Sequence, residues 1–163
     1  MKDGSADPGA APLLAAPATT PRWTTLPAVT LTTEQVQAAL NSVIELFVQA
    51  GLGSDEVSRL RRVKFAIADL DDQQALGLTL ASDQIILDDD GAGHGWHTDK
   101  SDPSPERFDL LSVLAHELSH TLGHEHSAEG LMTTALNQGV RLLDDAFSDL
   151  GNLDVLLGAR DGK

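Results

Sequence analysis

The sequence predicts an α+β domain: a small twisted mixed sheet with a backing helix, a second helix beneath the sheet, and a C-terminal helix. Apolar residues recur with helical spacing over 32–51 and 110–122. Between these segments, three short apolar runs bounded by turn residues predict strands. With 163 residues, 41% of them hydrophobic, the chain can bury one ordinary core and is too short for two comfortable domains.

Residues 1–22 are rich in alanine, proline and threonine and show no periodicity, which predicts a disordered tail before a folded domain over 23–163. No apolar run approaches the ~20 residues that span a bilayer. The run at 13–16 is also too short for a signal peptide, whose apolar region usually has ~7 to 15 residues. This pattern suits a module taken from a larger chain, or export by a route that uses another signal.

The first helix is predicted to begin at a cap on Thr32 or Thr33, after a short strand at 28–31, and to end at Gly51. Its expected buried stripe comprises Val36, Ala39, Leu40, Val43, Ile44 and Phe47. A short helical turn follows at 52–60.

Strands are predicted at 63–70, 76–80 and 84–87, and the strand at 84–87 is expected to form the edge of the sheet beside a cleft. Such an edge can bind an extended peptide by strand addition. A closing helix is predicted over 141–157, broken near Gly151.

Residues 116–126 match the pattern H-E-x-x-H-x-x-G-x-x-H in full. Side chains four apart on a helix lie within about 40° of each other and roughly 6 Å apart along the axis, so His116 and His120 can bind one zinc ion. Glu117 lies about 100° further round, which suits a general base acting on a metal-activated water. Gly123 can end the helix and bring His126 back as the third ligand.

Two alternatives stay open around this helix. His124 continues the four-residue spacing and would be a ligand if the helix ran past Gly123. The helix begins either near Ser104, which precedes a proline, or at Asp109. Its apolar stripe comprises Leu111, Leu114, Ala115, Leu118 and Leu122.

Met132 follows His126 by six residues, and this arrangement resembles the Met-turn of the metzincin metallopeptidases, most closely the matrixin branch. The resemblance implies zinc held by three histidines, Glu117 as catalytic base, a polypeptide substrate, and Met132 as an apolar floor beneath the metal. More broadly, residues 75–96 resemble matrixin-like modules of large bacterial surface proteins. That likeness implies a secreted or extracellular location.

The chain departs from these relatives in two ways. It has no tyrosine, so the tyrosine that follows the Met-turn in many metzincins is absent. It has no cysteine, which excludes a cysteine-switch propeptide within this chain. Any oxyanion stabilisation is therefore expected from zinc, backbone N–H groups or another side chain.

A secondary metal site is a further expectation. The aspartates that follow the third predicted strand resemble the acidic strand end that helps bind calcium in matrixins, although they fit no EF-hand loop. Two histidines and an aspartate in the glycine-rich loop are candidates for a second metal site, with a solvated cleft edge as the alternative. The candidate residues are Asp88, Asp89, Asp90, His94, His97 and Asp99.

The charge balance narrows the function. Eleven basic against 25 acidic residues give a formal net charge of −14, which disfavours binding to the phosphates of nucleic acid. Two functions stay open: a zinc-dependent endopeptidase, and a zinc-stabilised, non-catalytic binding or adhesion module of a larger surface protein. The intact Glu117 favours the enzyme, because a structural zinc site has no use for a base and usually closes its fourth position with another ligand.

Overall fold

The computed structural model describes residues 12–16, 30–70, 74–80, 83–123 and 132–142, and it confirms the α+β class with a mixed sheet. The elements in chain order are β1 (Leu13–Ala15), α1 (Thr33–Gln49), α2 (Ser54–Arg61), β2 (Lys64–Ala68), β3 (Ala75–Leu80), β4 (Gln84–Asp88), β5 (Trp96–His97), β6 (Phe108–Asp109), α3 (Leu110–Thr121) and β7 (Ala135–Leu136).

Helix α1 begins and ends where the sequence predicted. Thr32 caps it through a reciprocal pair of hydrogen bonds with Gln35, which satisfies two backbone N–H groups at the helix start. Gly51 takes a φ of 109° just after the last turn, a conformation that glycine adopts without strain. All six residues of the predicted stripe are buried, and α1 packs against α3.

The five-stranded sheet has the order β2-β4-β3-β1-β7. Strand β4 runs parallel to β2 and antiparallel to β3. It is therefore an interior strand, and the prediction that residues 84–87 form the edge beside the cleft is wrong. Its apolar side chains suit either position, and only pairing with two neighbours decides between them.

Strand β1 corrects the predicted disordered tail at residues 13–15. Leu13 is fully buried, and β1 lies between β3 and β7. A three-residue strand is too short to show periodicity, and the surrounding alanines and prolines hid it. The rest of the predicted tail lies outside the described residues, apart from Pro12 and Ala16, which flank β1.

Two other predictions differ from the structure or fall beyond it. Thr30 and Leu31 are not in a strand, although the Leu31 N–H donates to the Asp89 carbonyl at 2.7 Å. The other half of that predicted strand, and nearly all of the closing helix at 141–157, lie outside the described residues. No helix in the described part of the chain is long and apolar enough to cross a membrane.

Candidate active site

Helix α3 carries the first part of the motif, and Asp109 caps it, not Ser104. The Asp109 carboxylate accepts hydrogen bonds from the backbone N–H and the hydroxyl of Ser112 at 3.1 and 2.7 Å. Arg141 binds the same buried carboxylate with two nitrogens, at 2.7 and 3.0 Å. Because this segment follows Met132, the ion pair fixes the chain after the predicted Met-turn against the start of the motif helix.

His116 and His120 converge on one point. Their Nε2 atoms lie 3.1 Å apart, and their rings meet edge to face at 83°. Two nitrogens about 2.0 to 2.1 Å from one tetrahedral zinc would be separated by about 3.3 Å. The observed separation therefore fits two ligands of a single ion.

Glu117 follows His116 on the same helix and is fully buried. The Thr79 hydroxyl donates to its Oε2 at 2.6 Å, which joins the base to strand β3. Burial raises the pKa of Glu117 to about 8, while hydrogen bonds from Thr79 and the Leu13 backbone oppose the rise.

The second oxygen of Glu117 supports the fit of a metal centre. Among the residues that the structure describes, Oε1 is buried and makes no hydrogen bond. A buried carboxylate oxygen normally has a partner, and a water activated by the metal would supply one. The donor set and this oxygen together suit a hydrolytic zinc site.

Gly77 keeps the Glu117 carboxylate close to β3. A Cβ at this glycine would lie 3.1 Å from both Cγ and Oε1 of Glu117, and 3.0 Å from Cγ1 of Val113. Neither Gly77 nor Thr79 was predicted from the sequence to belong to the site. Their role depends on which residues of β3 face helix α3, and a local sequence pattern does not predict which strand residues contact which helix residues.

The end of α3 agrees with the predicted role of Gly123. Its φ of 99° is left-handed, and its N–H donates to the His120 carbonyl at 2.9 Å. His124 and His126 lie outside the described residues, so the third ligand stays a prediction. Met132 is described and buried in the hydrophobic core, as a floor residue must be.

The structure divides the predicted secondary metal residues. Asp88 accepts from the backbone N–H groups of Leu70 and Ala92 at 2.7 and 2.6 Å, so its carboxylate holds two loops together. Asp88 and Asp89 bring carboxylate oxygens within 4.8 Å of each other and of a carboxylate oxygen of Asp69. The pKa of Asp89 is raised by desolvation and by the neighbouring carboxylates.

The other four candidates have different surroundings. Asp90 accepts from the Gly93 N–H at 2.9 Å. His94 packs edge to face against Phe108. His97 lies 3.2 Å from the carboxylate of Asp99. The four therefore do not join the group formed by Asp69, Asp88 and Asp89, and a calcium or second zinc ion stays a prediction.

Comparison with known proteins adds one positive finding. A family model described as matrixin matches residues 66–149, slightly more than half of the chain. The match includes β3, β4, the motif helix and the segment around Met132. No curated protein and no solved structure matches the chain.

Proposed function

This chain belongs to the matrixin family of zinc metallopeptidases, and on that premise we propose that it is a zinc-dependent endopeptidase with Glu117 as general base. The observation that carries the proposal is the position of Glu117. Its carboxylate is buried on the helix that carries the two converging histidines, held by Thr79 at one oxygen, with no hydrogen bond to the other in the described part of the chain. Zinc coordination by His116, His120 and His126 is part of the proposal.

A zinc ion at the histidines would supply Lewis acidity, polarising a peptide carbonyl and lowering the pKa of a water toward about 7. Glu117 then takes a proton from the attacking water and delivers it to the leaving peptide nitrogen. Thr79 orients the carboxylate for both transfers through its 2.6 Å hydrogen bond.

The raised pKa of Glu117 suits this role. A carboxyl group in water is too weak a base to accept a proton near neutral pH, whereas burial brings the pKa of this one to about 8. Positive charge from a bound metal would lower that pKa again. Burial therefore raises the pKa of Glu117 and the metal would lower it. A pKa between the two extremes lets the carboxylate first accept a proton and then return it.

Substrate class and location are parts of the same proposal. Strands β3 and β7 pair with β1, and the same backbone groups would pair with an extended polypeptide in its place. Action outside the cell rests on family membership, and origin in a larger bacterial surface protein rests on the resemblance of residues 75–96.

The alternative is a zinc-stabilised binding module without turnover. The burial of Glu117, with β1 lying beside β3 at the same place, favours it, because a covered base cannot meet a substrate. The two functions differ in whether the carboxylate is needed for anything beyond folding.

The test is a rate comparison on a quenched fluorescent peptide at neutral pH with one equivalent of zinc. Glu117→Gln should bind zinc and cut at least ~10²-fold more slowly than the native chain, the low end of what general-base catalysis contributes. Glu45→Gln is the matched control, since this side chain is exposed on α1 and its ion pair with Lys100 is solvated. Equal rates for the native chain and Glu117→Gln would remove the proposed mechanism.

A further inference from the structure

Strand β1 lies in the sheet as an added strand. It runs antiparallel to β3 and parallel to β7, so it lies between two elements that are far apart in the sequence. The backbone N–H groups of Leu14 and Ala16 donate to the carbonyls of Thr134 and Leu136 at 3.0 and 2.8 Å. On the other side, the Ala15 N–H donates to the Gln74 carbonyl at 2.8 Å.

This position is beside the catalytic base. Leu13 pairs with Gly77, the glycine at which a Cβ would lie 3.1 Å from the Glu117 side chain. The Leu13 backbone also lowers the pKa of Glu117 against the larger effect of burial, which agrees with this proximity. A general base that protonates a leaving amine must lie beside the nitrogen of the bond being cut. Because Leu13 pairs with Gly77, the peptide bond of β1 that this arrangement brings toward Glu117 is Pro12–Leu13.

The side chains of β1 alternate as those of a bound peptide would. Leu13 is 0% exposed, whereas the next residue, Leu14, is 37% exposed. One side chain is therefore anchored in the core while its neighbour points to solvent, the pattern expected of an extended peptide at a sheet edge.

We propose that residues 12–16 occupy the chain's own substrate cleft, so that a peptide substrate must displace β1 from β3 and β7. Calling this groove a substrate cleft rests on the proposed function, whereas the presence of β1 in the groove is a feature of the fold. Displacement is feasible because the ladder is short: β1 has 3 residues, and each backbone hydrogen bond contributes only about 1 kcal/mol net.

Tethering makes this weak strand an effective competitor. A segment of the same chain competes intramolecularly, with an effective concentration on the order of millimolar. A free peptide of the same sequence is therefore at a disadvantage until β1 is detached. If the groove is filled by β1 for at least ~90% of the time, the apparent affinity for an outside peptide falls at least ~10-fold.

The experiment uses the full chain carrying Glu117→Gln, loaded with zinc, so that no turnover is needed. The probe is a fluorescent peptide with the sequence of residues 10–17. Adding Leu13→Lys removes the buried anchor, and we expect this chain to bind the probe at least ~10-fold more tightly than the chain with Leu13 intact. Leu14→Lys is the matched control, because it makes the same change at the exposed neighbour, and it should leave affinity unchanged.

Hydrogen exchange of the amides of Leu14, Ala15 and Ala16 provides a second measurement that does not depend on the substitution. These amides should exchange slowly in the chain with Leu13 intact and become fast when the probe saturates the groove. Protection that persists with the probe bound, or equal affinity of all three chains, would overturn the proposal. Protection that grows with protein concentration would assign the strand to a second copy and overturn the intramolecular assignment.

The two proposals fail separately. A chain that shows competition between β1 and the probe but never cuts a peptide would lose the proposed activity and keep the occupied groove. A chain that cuts peptides but shows no such competition would keep the activity and lose this inference.

Discussion

Replacing Glu117 by glutamine in the metal-free chain should make folding stability depend less on pH. Burial raises the pKa of Glu117 from 4.5 to about 8 in the folded chain. In the unfolded chain the carboxyl is in water and loses its proton near 4.5. Between these two values the unfolded state binds fewer protons than the folded state, so the free energy of unfolding falls as pH rises.

The magnitude follows from the two pKa values. At pH 5 the native carboxyl destabilises the fold by less than about 1 kcal/mol relative to a group that never ionises, and at pH 7 by about 3 kcal/mol. Glutamine has nearly the same shape, keeps an acceptor for the Thr79 hydroxyl and does not titrate. Glu117→Gln should therefore gain about 2 to 3 kcal/mol over the native chain between pH 5 and pH 7.

Urea unfolding of both chains at pH 5, 6 and 7, with zinc removed by a chelator, measures this difference. Glu45→Gln, at an exposed position, should show no such trend. A difference between Glu117→Gln and the native chain that stays constant from pH 5 to pH 7 would refute the argument that burial controls this carboxyl.

Three further predictions concern the surroundings of the site. Gly77→Ala should destabilise the fold by about 1 to 3 kcal/mol in thermal unfolding and slow peptide cleavage, because its Cβ would lie 3.0 to 3.1 Å from neighbouring side chains; Gly53→Ala, whose nearest contact would be 3.6 Å, is the control, and equal losses would contradict the steric reason. Thr79→Val should shift the acidic limb of the kcat/KM profile upward in pH. The Thr79 hydrogen bond lowers the pKa of Glu117 in the native chain, so its removal raises that pKa; an unmoved limb would contradict this role of Thr79. His126→Ala should lose most of the bound zinc in metal analysis and His124→Ala should keep it, and the reverse result would mean that the ligand assignment is wrong.

The helices were the part of the fold that the sequence predicted best. The Thr32 cap, the end at Gly51 and the buried stripe of α1 are local features, and the structure has all three. The strands β2, β3 and β4 begin and end within two residues of their predicted limits. Helical periodicity and turn residues act over a few positions, so they can be read without knowing the partners.

The order of the strands could not be predicted, because it depends on contacts between distant segments. Interior β4 and cleft-side β3 have similar apolar patterns, and the choice between them lies in pairing. Strand β1 was missed for the same reason: Leu13 is buried only because β3, β7 and α3 surround it.

The site shows the same division. His116, Glu117 and His120 follow from helical spacing, and the converging nitrogens agree with it. Thr79 and Gly77 reach Glu117 from another element, at a distance in sequence of about forty residues. A single sequence contains no signal for that contact.

The most direct test of the central claim is cleavage of an unstructured protein in water enriched in oxygen-18, with mass spectrometry of the new peptide ends. The zinc-loaded native chain and its Leu13→Lys variant should both generate new carboxyl termini that carry the heavy oxygen, and adding Glu117→Gln should remove nearly all of them. Intact substrate after prolonged incubation with both zinc-loaded chains, or undiminished labelling by Glu117→Gln, would contradict the proposal that Glu117 activates water for peptide hydrolysis.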